Sequence, residues 1–219
     1  MLDILYKDHQ LFAVNKPAGV PVQADKTGDA TLQAQAEAYC KQPLHAVHRL
    51  DRPVSGVALF AKTKSAMTDL TEQFRGRTVE KIYLAVVQNP PPEQEGTLVH
   101  FLQKNEAKNI SRVFPTEQPG TEKAEIRYRV LRSSDRYHLL EVVLVTGRHH
   151  QIRAQLAAIG CPVKGDVKYG FRRGNKDRSI HLHAWRLAFD HPVSGERISL
   201  AAAVPEGDVV WQALNGVSG

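Results

Sequence analysis

HAVHRLDRPVSGVALFAK, residues 45–62, is the stretch on which the reading of this chain turns. It sets Asp51 between Arg49 and Arg52 and follows it with Pro53, Ser55 and Gly56. A carboxylate flanked by two guanidiniums sits in a field that favours its charge. Strand signals at 45–50 and 56–62 leave the turn residues between two strands and the aspartate at the end of the first, where function often resides. In an extended segment alternate residues share a face, so Arg49 and Asp51 point one way and His48 and Leu50 the other. A bare R-x-D-R is most simply an ion-pair cluster on an edge strand, and such clusters contribute little.

Outward from this stretch, residues 2–7 and 10–15 read as short strands around a Lys-Asp turn, and Pro17, Gly19 and Pro21 then break regular structure. Residues 31–41 are good helix formers. Thr63 is placed to cap a second helix, with Met67, Leu70 and Phe74 on one face and Gly76 past its end. KIYLAVV, 81–87, reads as a buried strand, and NPPPEQE, 89–95, as a rigid surface connection. Residues 125–131 and 137–145 read as an antiparallel pair. A helix is expected over 151–159, burying Ile152, Leu156 and Ile159 and stopped by Gly160. Strands at 180–190 and 196–202 flank the loop HPVSG. Consecutive strands with irregularly placed helices indicate an α+β fold with a largely antiparallel sheet rather than regular βαβ units. With no repeat, low-complexity tract or linker, residues 1–219 are expected to form one domain.

Composition narrows the function classes. The 219 residues are 42% hydrophobic and 24% charged, as in a globular protein with a real core. The net charge of +6 favours a polyanionic partner. Cys40 and Cys161 stand far apart and form neither a disulfide framework nor a zinc spacing. MLDILYKDHQ lacks the order of a signal peptide, and no apolar run approaches the ~20 residues of a membrane span. A cytoplasmic location, without membrane partners, is the expectation.

The longer string around Asp51 resembles the signature of the RluA-type pseudouridine synthase family: HRLD, then two residues, then a small or β-branched residue, then SG, an apolar run and AK. Asn15-Lys16-Pro17-Ala18-Gly19 resembles the family's NKPAG element, and Lys81-Ile82-Tyr83-Leu84-Ala85 its K-x-Y-x-A element. TGRHHQIR, 146–153, resembles TGR-x-HQIR. Gly165-Asp166 with Tyr169-Gly170 resembles GD-x-x-YG, and Leu182-His183-Ala184 resembles LHA. Any one element is weak; the ordered set is highly specific. Val54 departs from the threonine often found there, so that position is given no hydrogen-bonding role.

The resemblance implies the pseudouridine synthase fold, a mixed, mainly antiparallel sheet with flanking helices and an RNA-binding cleft along it; some members carry an N-terminal S4-type domain, and with NKPAG beginning at residue 15 none is expected here. It implies isomerisation of uridine to pseudouridine in structured RNA, an rRNA or tRNA stem-loop, by a monomer without cofactor or metal. Asp51 is then the essential carboxylate, acting as a nucleophile at C1′ or as the base that removes the C2′ proton. Tyr83 packs against the target base, and Ile152 completes the pocket wall. Arg148 is the carboxylate's partner. A cation just before a helix start faces the positive end of the dipole, which is unfavourable unless an anion is close. Arg49 either fills the stack vacated by a flipped base or pairs with Asp51. His48 and Arg52, beside the same aspartate, count with Arg49 and Ile152 as substrate-binding positions. Lys164, Lys168, Arg172, Arg173 and Lys176 form a basic segment suited to RNA phosphates.

Two other classes compete. A metal hydrolase could use His45, His48 and Asp51, but His45 and His48 diverge on a strand; stoichiometric zinc or manganese in purified protein would support it. An RNA-binding or RNA-folding module of the same fold could have lost catalysis, but it predicts loss of Asp51, Tyr83 or Arg148, and all three are present.

Overall fold

The computed structural model describes residues 1–24 and 28–214. In chain order its elements are β1 (Asp3–Lys7), β2 (Leu11–Lys16), α1 (Leu32–Cys40), β3 (His45–Ala46), β4 (Ser55–Ala61), α2 (Lys64–Gly76), β5 (Glu80–Val87), β6 (Glu95–Asn105), β7 (Ile110–Phe114), β8 (Glu122–Ser133), β9 (His138–Leu144), α3 (Gln151–Ala158), β10 (Leu182–Asp190), β11 (Arg197–Ala201) and α4 (Val209–Leu214). They fall into two compact units. The first comprises Met1–Lys81 with His183–Pro205, and the second Ile82–Leu182 with the stretch from Glu206 onward. Among the described residues no helix is long and apolar enough to cross a membrane.

In the first unit the strands lie in the order β1-β2-β4-β10, with β3 also pairing β4 and β11 pairing β10. All seven residues of β4 are buried, as its unbroken apolar run requires. It runs antiparallel to β2 and parallel to β10. α2 lays Met67, Leu70 and Phe74 on a core of Leu11, Val57, Leu59, Leu187 and Phe189. Its cap is the expected Thr63, whose hydroxyl oxygen accepts the Ala66 N–H at 3.2 Å. The stop differs from the expectation: Gly76 is still helical, and Arg77 takes the left-handed position at φ 60°.

The parallel pair β4 and β10 explains two of the sequence elements together. Gly56 lies opposite Ala184 at φ +116°, and a Cβ there would come within 2.2 Å of the Ala184 carbonyl oxygen. Beside it the buried Ser55 hydroxyl donates to His183 Nδ1 at 2.9 Å, and His183 Nε2 donates to the Ala202 carbonyl at 3.1 Å. Burial pushes His183 down to about 4, so the ring is neutral and serves packing.

One expectation is corrected here. The strand at 45–50 ends at Ala46, and residues 47–54 are irregular. The alternate-face argument for Arg49 and Asp51 therefore does not apply. β4 pairs β3 only through His45 and Ala46, and Pro53 has no N–H to extend a ladder.

In the second unit the order is β5-β9-β8-β6-β7, every neighbouring pair antiparallel. The expected pair of strands is present as β8 and β9. The β6–β7 hairpin is an addition to the sequence reading. β6 is mostly half-buried and its apolar residues, Leu98, Val99, Phe101 and Leu102, fall on both faces, which blurs the period-two signal. α3 packs Ala154 on Leu102 and Ala124, with Val113 and Tyr169 at the edge. This helix also buries Gln151, Arg153 and Gln155. Arg153 holds Asp166 through two bonds of 2.6 and 2.9 Å.

Candidate active site

Asp51 is half-buried in the first unit, at the start of a turn closed by the Val54 N–H on the Asp51 carbonyl at 3.0 Å. Lys16, at the end of β2, stands beneath this turn with no solvent exposure. Its ammonium donates to the carbonyls of Pro17 at 3.0 Å, Val20 at 2.7 Å and Arg52 at 3.2 Å. Three N–H bonds meet three acceptors, so a buried cation ties the loop after β2 to the loop of the aspartate. Burial pushes Lys16 down to about 7; the Asp51 charge pulls it up, and Arg52 pushes it further down. Within NKPAG the sequence alone gives Lys16 no role of its own. Its signal was a lysine ending the buried strand LFAVN, directly before Pro-Ala-Gly.

The neighbours of Asp51 divide. Arg49 is exposed. Arg52 closes the loop: its Nε donates to the Gly19 carbonyl at 2.9 Å, a second nitrogen bonds Asp29, and its own carbonyl accepts the Gly19 N–H at 2.7 Å. His48 turns inward. Its Nε2 accepts the Leu59 N–H at 3.2 Å, and its ring stacks on Phe74 at 5.4 Å. Burial, aided by Lys81, pushes His48 down to about 4. The nitrogens of both residues, expected at the substrate, also bond the backbone of their own unit. Val54 is 2% exposed, in keeping with an apolar role.

The second unit carries the other expected residues. Tyr83, on β5, is half-buried and lies opposite Val142, which also faces Tyr128 across the sheet. The three form a row on one face. Ile152 is buried in the first turn of α3. Arg148 stands before that helix, whose N-cap, His150, has a left-handed backbone at φ 51°. Glu122 meets the Arg148 guanidinium at 2.5 Å, and Arg148 Nε donates to the Lys123 carbonyl at 3.2 Å. The loop itself is held by Gln151. Its Oε1 accepts the Arg148 N–H at 2.9 Å and the Thr146 hydroxyl at 2.8 Å, and its Nε2 donates to the Glu125 carbonyl at 3.1 Å.

Of the basic segment, Lys168, Arg172, Arg173 and Lys176 are exposed. Lys164 is half-buried and donates to Asn175 Oδ1 at 2.9 Å. The position next to Gly165 and the neck of the loop draw it inward.

The sequence model of the family described as RNA pseudouridylate synthase matches residues 10–158, and the chain belongs to that family. It is 34% identical to the tRNA pseudouridine synthase C of Pasteurella multocida, over 94% of this chain and 92% of that protein. It is 32% identical to the tRNA pseudouridine synthase C of Pectobacterium carotovorum, over 98% of this chain but 61% of that relative's length. The ribosomal large subunit pseudouridine synthase C of Vibrio vulnificus is 34% identical over 93% of this chain and 66% of its own. The solved structure of human RNA pseudouridylate synthase domain containing 4 superposes with a TM-score of 0.77 at 27% identity, covering 93% of this chain and 89% of that one.

Proposed function

We propose that this chain isomerises uridine to pseudouridine in a structured RNA, a tRNA or ribosomal RNA stem-loop, acting in the cytoplasm as a monomer without metal or cofactor. The N1–C1′ bond breaks, the base turns, and C5 bonds to C1′; the C5 proton leaves and N1 gains one, so no atom is gained or lost. The observation that supports this reading is a half-buried aspartate on a turn whose backbone is held by a buried cation. A carboxylate so placed is kept in position for attack on C1′ or removal of the C2′ proton. Tyr83 stacks on the base, Ile152 walls the pocket, and Arg148 is the reaction's cation, able to exchange the exposed Glu122 for a more tightly held anion. Arg49 fills the vacated stack and recovers part of the flipping cost, a few kcal/mol. Lys168, Arg172, Arg173 and Lys176 follow phosphates.

The test is to map pseudouridines by carbodiimide-dependent primer-extension stops, in total RNA from strains with and without the gene. A stop lost on deletion should return with wild type and not with Asp51→Ala, whose turnover falls by on the order of a thousandfold or more while RNA affinity persists. Restoration by Asp51→Ala would refute the mechanism.

A further inference from the structure

The segment after α3 closes on itself: the Lys164 carbonyl accepts the His181 N–H at 2.9 Å. Between these residues the chain bulges into a loop that exposes Lys168, Arg172, Arg173, Lys176 and Arg178. Cations so close repel one another, and like charge on a flexible segment drives it to extend. Something must hold the loop folded.

Asn175 stands in its neck. Its Oδ1 accepts from Lys164 Nζ at 2.9 Å. Its Nδ2 donates to His181 Nδ1 at 3.0 Å and to the Ser179 hydroxyl at 3.1 Å. His181 Nε2 donates in turn to Asp208 Oδ1 at 3.1 Å, and the same oxygen accepts the Val210 and Trp211 N–H groups at the start of α4. The His181 ring stacks on Trp211 at 5.2 Å. The bonds of Asn175 Nδ2 and His181 Nε2 each pair a donor with an acceptor when His181 is neutral, and burial lowers the pKa of that ring in the same sense. The amide also occupies the space that Gly165 leaves open: a Cβ there would lie 2.8 Å from Asn175 Nδ2. One side chain thus joins both ends of the loop to the C-terminal helix.

We infer that Asn175 is a positioning residue for RNA: through the Lys164–Asn175–His181–Asp208 chain it holds the basic loop in one shape and so sets affinity for the substrate rather than the chemical step. The inference rests on the reading of this loop as an RNA-backbone contact. Without the amide the loop must be ordered by the RNA itself, and that cost appears in binding.

The test compares Asn175→Ala, the isosteric Asn175→Asp and the triple variant Lys168→Ala/Arg172→Ala/Arg173→Ala in the full chain, on the RNA identified by the mapping experiment. Both Asn175 variants should raise KM by about tenfold and leave kcat within about twofold, with the smaller rise for Asp, which keeps the acceptor for Lys164. The triple variant should weaken binding and flatten the slope of log K against log salt by up to about 2 to 3. If the triple variant changes neither, the loop does not contact RNA and the underlying reading fails. If the triple weakens binding while both Asn175 variants keep wild-type KM, or lower kcat at unchanged KM, the inference is overturned. Should Asn175→Ala not fold, Asn175→Asp decides by the same criterion.

Discussion

The loops of Asp51 and Arg148 are held by the same device in two electrostatic versions. Beneath Asp51 a buried ammonium donates to three backbone carbonyls. Beneath Arg148 a buried neutral amide accepts a backbone N–H and a hydroxyl and donates to a carbonyl. Each loop that presents a charge is closed from below by one long polar side chain from a short sequence element. The difference is titration. The amide has no proton to lose between pH 5 and 10, whereas the lysine is held near 7 by its burial. Closure of the aspartate loop is therefore tied to pH and closure of the arginine loop is not.

Replacing the cation should break this comparison most strongly. Lys16→Met leaves buried carbonyls without their donor and should cost about 3 kcal/mol of stability, read by urea denaturation. The pH dependence carries the sign. Lys16 has a folded pKa of about 7 against an ordinary 10.5, so between these values the unfolded chain binds the extra proton. Wild-type stability should rise with pH from about 7 towards 10.5, by up to about 1.4 kcal/mol per unit. The variant should lack that component; parallel pH profiles for the two proteins would remove the distinction.

Gln151→Leu sharpens the other side. It strips acceptors from the Arg148 N–H and the Thr146 hydroxyl, at a cost of about 2 kcal/mol. The same loss should be measured at pH 6 and pH 9, and a loss that varied with pH would show that this loop also depends on a titrating group. The smallest effect is expected from Arg148→Lys. The charge remains and the planar fork is lost, so kcat should fall by about tenfold with the melting temperature unchanged. Turnover equal to wild type would mean that Arg148 contributes only its pairing with Glu122.

Reading outward from Asp51 recovered most elements, because apolar periodicity and caps are local. Thr63 capped its helix, and residues 125–131 and 137–145 paired. Two local readings failed where tertiary contacts overruled them: β3 stopped at Ala46, and β6 with β7 escaped notice behind apolar residues on both faces. His48 and Arg52 are neighbours of Asp51 in sequence, and the fold gives their nitrogens backbone partners at Leu59 and Gly19. Adjacency along the chain does not say which way a side chain turns once the strand ends.

The residues alone determined the family, through six ordered elements, the net charge, and the aspartate set among arginines, since residue types and spacings survive without coordinates. Tertiary structure alone decided which polar groups went inside. Lys16 reaches a carbonyl 36 positions away, Ser55 meets His183 across 128, and Asn175 joins both ends of its loop. Burial of a cation or a neutral imidazole requires that every hydrogen bond be matched, and the matching groups come from distant segments that only the folded chain assembles.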